Sequence, residues 1–341
     1  MGLTEMMDSA ADAPERRRRR PWLGCLPLVL LLVVAVGVGY YLSGRGSSPQ
    51  PVVEGCTAST PDGIVGLDVQ QMDNAGTITA VTVARNLPEQ AATIALATAM
   101  QESKLENLSG GDLDSIGLFQ QRPSEGWGTP AQIADPVYAT DRFLDRLVAV
   151  PGYAELPLTV AAQDVQHSGY PDAYAQHQSD ATVLSGALSG RVPASMTCQV
   201  NSVGTAASAA AGQTALSARL VKEFGQAVRP SALPVPAAPG ASSASPAAVV
   251  QAQLSVVPRA GLTGSVQRGW AVAAWAVAHC QDLHISAVSY AGKEWTAANS
   301  TQGWQPVPAA SGSAATSSGA AAPAADAASG SSSVLLTVAA E

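Results

Sequence analysis

Five consecutive arginines, Arg16 to Arg20, stand one residue before a stretch, Trp22 to Leu42, that contains no charged side chain. Nothing else in the chain limits its topology so strongly. At ~1.5 Å of rise per residue, a helix of that length spans one hydrocarbon core of about 30 Å. Trp22 stands at one end and Tyr40 and Tyr41 at the other, where amphipathic rings prefer the interface. Arginines stay on the cytoplasmic side, so residues 1–21 are expected to form a basic cytoplasmic tail. Residues 22–42 are then one transmembrane helix, 43–55 a tether, and everything beyond lies outside the membrane. A cleaved signal peptide is the alternative. Its apolar region would be shorter and would end at small residues, whereas Tyr40-Tyr41-Leu42 follows here. Cys25 lies at the start of the apolar run, not at its end, which argues against lipidation.

The formal net charge is −8, and the remainder outside the expected membrane segment is more acidic still. With no basic stripe, nucleic-acid binding is excluded. Cys56, Cys198 and Cys280 fall on the oxidising side. Cys56 and Cys198 bracket one compact-looking segment, so a disulfide is expected between them. It would close a loop of about 140 residues, worth ~5 kcal/mol in the chain-entropy account. Cys280 is left over, in an apolar helical run, and reads as a buried thiol.

Composition divides the rest. Residues 56–198 carry frequent helix signals: Leu67–Asn86, a run opening at Pro88-Glu89, Val137–Val148 capped by Asp135-Pro136, Leu156–His167, and Ser179–Leu188 stopped by Gly190. Strand signal is weak, so a mainly α domain is expected there. Residues 199–246, rich in Ala, Ser and Pro, read as linker with one isolated helix at Ala215–Gly225. Residues 247–341 read as a small α/β unit interrupted by low-complexity sequence at 306–331.

The chemistry concentrates around one acid. Ala91 to Met100 is uncharged and apolar all round, as in a central buried helix. Glu102 is the first charge after it. Desolvation and the negative end of the helix dipole both favour its protonated form. A protonated carboxylic acid is what glycoside cleavage requires as general acid. A polar turn follows, then Gly117-Leu118-Phe119-Gln120-Gln121-Arg122-Pro123.

Glu102-Ser103 followed by Gly117-Leu118-Phe119-Gln120 resembles the Glu-Ser and Gly-Leu-Met-Gln signature of the lytic transglycosylase and goose-type lysozyme superfamily. Asp135-Pro136-Val137-Tyr138 resembles the Asp-Pro segment that follows there, and the longer block around Glu102 resembles a recurrent actinobacterial envelope-protein module. The resemblance covers about residues 65–191. It implies a lysozyme-like fold, Glu102 as catalytic acid, Ser103 beside it, and Gln120 lining a sugar groove; Gln121 and Gln166 join the candidate binding residues. One departure is plain: the family's Tyr-Asn-Ala-Gly, which contacts the N-acetyl group, is replaced by Val165-Gln166-His167-Ser168-Gly169.

Two carboxyls ~5 Å apart serve retaining glycosidases, and ~6.5–9.5 Å apart inverting ones. Asp112 and Asp114 are the candidates for the second, and turn chemistry explains both equally. Without a second carboxyl, the substrate's own 6-hydroxyl or a water attacks, which the resemblance favours. Trp127 and Tyr138 read either as sugar-stacking rings or as core.

No metal site and no cofactor are expected. His167, His177, His279 and His284 form no pair at ligand spacing, and nucleophile-elbow and phosphate-loop motifs are missing. The apolar helix from Gly269, the strand Ile285–Tyr290 and Gly303-Trp304 resemble the tail of the zinc D,D-peptidase fold over about residues 260–338. The metal histidines would fall on Ser333 and Leu335, which implies a degenerate, metal-free unit. The sequence thus predicts a membrane-tethered enzyme cleaving peptidoglycan glycan strands, its partners being those strands and, through one helix, the membrane. The alternative is an inactive wall-binding or scaffold protein on the same fold.

Overall fold

The computed structural model describes residues 51–234, 250–259, 261, 264–307 and 333–341. The expected tail, transmembrane helix and most of the tether lie outside them. Among the described residues no helix is long and apolar enough to cross a membrane. The described residues from 52 onward form one compact unit of mixed α/β architecture.

The helical half is built from α1 (Val69–Ala84), α2 (Glu89–Ser103), α3 (Pro136–Ala149), α4 (Leu158–Gln166) and α5 (Gln178–Leu188). Their starts follow local chemistry. Asp68 caps α1 in a reciprocal box with Gln71, Glu89 occupies the first turn of α2, and Asp135 accepts from the Val137 amide to open α3. As its sequence predicts, α2 is buried on all sides over Ala91–Ala99.

Weak strand signal proves misleading in this half. β1 (Gly55–Thr60), β2 (Gly63–Leu67) and β3 (Met196–Gln199) make a three-stranded antiparallel sheet in the order β2-β1-β3. The strands are only four to six residues long, so the alternation they carry, with Cys56 and Ala58 buried on β1 and Met196 and Cys198 on β3, is too brief to stand out in the sequence. β1 and β3 set Cys56 directly opposite Cys198, and the two are joined by a disulfide.

The linker expectation also needs correction. Helix α6 spans Ala209–Phe224, longer than Ala215–Gly225 and not isolated: Leu216, Leu220 and Phe224 bury one face. Its first turn looked like low-complexity alanine, yet alanine is the strongest helix former and Ser208 supplies the cap. Next comes β4 (Val228–Ala232), which pairs with β5 (Val250–Pro258). Then follow α7 (Gly264–Ala278), β6 (Ile285–Tyr290), β7 (Lys293–Thr296), β8 (Gln305–Pro306) and β9 (Val334–Ala340). These strands form a second antiparallel sheet in the order β4-β5-β9-β6-β7-β8. β9, last in sequence, is therefore a central strand; Leu335 lies within it and Ser333 just before it.

Two helices join the halves: α6 packs on α1, and α7 does so more extensively. α7 packs on α1, α5 and β3, and on the strands of the six-stranded sheet. That is why it is buried on every side from Arg268 to Ala278. Gly190, at the end of α5, has φ +75°, and a Cβ there would fall on the Gln267 carbonyl oxygen of α7.

Candidate active site

Glu102 is the penultimate residue of α2. The helix stops because Lys104 and then Leu105 turn left-handed, with φ 58° and 64°. Two consecutive non-glycine residues in this region are strained, and α1 restrains them. Gln71 donates from Nε2 to the Lys104 carbonyl at 2.9 Å, and Asn74 donates from Nδ2 to the Leu105 carbonyl at 2.7 Å.

The following loop folds back against this turn. The buried Ser103 hydroxyl donates to the Leu118 carbonyl at 2.7 Å. Leu118 and Phe119 are core residues, and Phe119 stacks on Phe143 with ring centroids 4.7 Å apart. Gly117 needs its φ of +77°, and a Cβ there would meet the Ile133 carbonyl oxygen at 2.8 Å. So the Gly-Leu-Phe-Gln segment is a hinge, two anchors and a presented side chain. Gln120, itself at φ 45°, lies over Gly111 and donates to the Gly117 carbonyl at 3.1 Å.

A polar cleft of about 450 Å³ opens in front of Glu102. Of the residues singled out by sequence, Glu102, Asp112, Gln120, Trp127 and Gln166 line it. Four do not. Ser103 is buried behind it; Gln121 is buried with its amide on the Ala139 carbonyl; Tyr138 donates its hydroxyl to the Trp127 carbonyl at 3.2 Å. Asp114 ties the loop, accepting from the Ser124 amide and hydroxyl, each at 2.9 Å. Those bonds, the amide first, hold its pKa below the ordinary carboxylate value. Turn chemistry thus accounts for Asp114. Asp112 remains at the cleft, exposed and 3.4 Å from Arg122. Trp127 is mostly buried, and the Arg146 guanidinium covers one face of its ring at 3.4 Å, so at most its other face is free for stacking.

The structure adds groups that pattern reading missed. The Tyr174 hydroxyl donates to Glu102 Oε1 at 2.8 Å. Tyr174 is wholly buried; burial first, then the Glu102 charge, raises its pKa, so it stays a donor. It sits on a 3₁₀ turn, Pro171–His177, where no periodic signal marks it. Arg122 faces Ser115, Glu125 and Asp112, and lay unread at the end of the recognised segment. Gln166 donates to the Phe119 carbonyl at 2.9 Å, while its buried Oε1 has no hydrogen-bond partner. His167-Ser168-Gly169 completes that wall, with His167 at φ 51°. Lys104, Leu105, Leu113, Gln120 and His167 all border the cleft or its loops, and account for five of the nine non-glycine residues with positive φ among those described. Such strain concentrates at functional sites. Among the described residues no cluster of metal-ligand type is present.

The cleft therefore offers three carboxylates, one guanidinium and several amides and hydroxyls. It can exchange a proton and hydrogen-bond a hydroxylated, amide-bearing ligand. No known protein family and no curated protein matches the chain.

Proposed function

We propose that this protein cleaves the glycan strands of peptidoglycan from the outer face of the membrane, in the manner of a lytic transglycosylase or muramidase. The supporting observation is the pairing of Glu102 with the buried Tyr174 hydroxyl at the head of a polar cleft. Glu102 gives its proton to the bridging glycosidic oxygen as the C1–O bond breaks, while charge builds on the sugar ring. The 6-hydroxyl of the same sugar, or a water, then attacks C1 and returns a proton to Glu102. Positioned proton transfer of this kind contributes on the order of 10²–10⁴-fold. In this reading Asp112, one of the two other carboxylates lining the cleft, steadies that charge, and Gln120 and Gln166 take the substrate's amides and hydroxyls.

The disulfide Cys56–Cys198 suits an oxidising compartment, in keeping with residues 22–42 as the anchor. Ser333 and Leu335 offer neither imidazole nor carboxylate, so the C-terminal half is read as a metal-free layer. The test is purified full chain in detergent incubated with isolated cell wall, with products read by mass spectrometry. Anhydro ends identify a transglycosylase and reducing ends a hydrolase. If no fragment is released, the enzyme reading fails and a binding role takes its place.

A further inference from the structure

Away from the cleft, three helices meet at a buried charged cluster. Asp73 and Thr77 come from α1, Arg219 and Glu223 from α6, Trp275 from α7, and His279 is the residue that follows α7. The His279 and Glu223 side chains are fully enclosed. His279 Nδ1 lies 2.9 Å from the Trp275 carbonyl oxygen, which only accepts, so Nδ1 carries a proton. His279 Nε2 lies 3.5 Å from Asp73, 3.6 Å from Glu223 and 3.3 Å from the Thr77 hydroxyl. Two carboxylates at ion-pair distance favour a second proton on this nitrogen, and the surroundings suit an imidazolium. Arg219 pairs with Glu223 and reaches Asp73 and the outlying Asp282; Trp275 Nε1 donates to the other Glu223 oxygen at 2.6 Å. The charged groups around His279 are thus Asp73, Glu223 and Arg219, with Asp282 beyond. Burial alone would lower the His279 pKa; the Asp73 and Glu223 charges outweigh it and hold it above the ordinary histidine value.

α1 connects this cluster to the cleft. Gly76 gives the imidazole room, since a Cβ there would stand 3.1 Å from its ring. Within the same turns of helix, Gln71 and Asn74 hold the strained Lys104-Leu105 turn that ends the Glu102 helix. We infer that the His279 cluster is a proton-dependent latch by which the C-terminal half clamps α1 and, through α1, the turn that fixes Glu102. When His279 is neutral, its attraction to Asp73 and Glu223 is lost and only the Thr77 hydroxyl is left to pair with Nε2, so the clamp loosens and the turn relaxes. The latch rests on the cleft reading only for its consequence on cleavage.

The test uses full chain in detergent micelles, with ¹⁵N-labelled histidine followed by NMR from about pH 6 to about pH 9. His279 should carry both protons at the lower end and lose one on the way up. Amide exchange over Ser103–Leu108, corrected for its intrinsic pH dependence, should speed by about tenfold in step. His279→Asn, which cannot be charged, should exchange fast throughout. A singly protonated His279 at the lower pH, or a titration that leaves exchange unchanged, overturns the latch. If His279→Asn does not fold, the wild-type titration and exchange still decide between these results. Neither readout requires cleavage, so a chain that releases no wall fragment yet shows both loses the enzyme reading and keeps the latch.

Discussion

Glu102 by itself is an ordinary helix-end glutamate; the role proposed for it rests on its neighbours. Tyr174 holds one oxygen, Ser103 ties its helix to the Leu118 carbonyl, and a polar cleft opens in front of it. Glu102→Gln keeps the shape and cannot donate the proton, so release of soluble fragments from cell wall should fall by at least about a hundredfold. Equal release by variant and wild type would put the acid elsewhere. Tyr174→Phe keeps the ring and removes the 2.8 Å bond. A hydrogen bond to a charged group contributes about 1.5 kcal/mol, so turnover should drop roughly tenfold with little change in Tm. Unaltered turnover would mean the hydroxyl does not hold Glu102 for chemistry. Glu102 and Gln120 were readable in the sequence because each ends a recognisable run. Tyr174 was not, because it reaches Glu102 from a 3₁₀ turn 72 positions away, and such turns leave no periodic trace.

Among the elements, the β1–β3 pair closes the helical half on itself, since β1 precedes its helices and β3 follows them. Cys56 and Cys198 sit opposite each other on that pair, 142 positions apart. Replacing both with alanine restores chain entropy to the unfolded state, costing up to about 5 kcal/mol. Denaturant unfolding of wild type against the double variant measures this. A loss under about 1 kcal/mol would show that packing alone holds the strands. The disulfide was legible from compartment and bracketing, whereas the strands that carry it were not. An alternation of only two buried positions, Cys56 and Ala58 in Gly55–Thr60, is too brief to mark a strand, and pairing partners distant in sequence decide its conformation.

At the scale of the whole molecule, α7, with α6 beside it on α1, makes one body of two compositionally distinct halves. Gly190, just past α5, lies against the backbone of α7. With φ at +75° and the α7 backbone against it, Gly190→Ala should destabilise by at least about 2 kcal/mol, visible as a lower Tm. An unchanged Tm would mean that the contact gives way freely. The buried cluster sets the acid limit. Burial would raise the Glu223 carboxyl, but the His279 and Arg219 charges outweigh it and draw its pKa down to about 2, from an ordinary 4.5. A depressed carboxyl stabilises the fold above its unfolded value and loses that contribution as pH falls through the folded one. Asp73, raised mainly by burial, acts in the opposite sense. Glu223→Gln should therefore unfold along a flatter curve than wild type between about pH 5 and about pH 2. Parallel curves would remove Glu223 from the acid response.

What the sequence determined by itself was local or compositional. The helices of the first half follow from caps, proline positions and apolar runs, and the buried course of α2 from ten uncharged residues in succession, Ala91–Met100. Only the tertiary structure decided that α6 and β4 belong to the C-terminal layer and that β9, last in the chain, lies at the centre of its sheet. It also brought Tyr174 to Glu102 and gathered Asp73, Glu223 and His279 into one cluster. The physical reason is common to these cases. Caps and periodicity are set by neighbours a few residues apart, whereas strand order, buried ion pairs and cleft walls depend on contacts between distant segments, which no local pattern encodes.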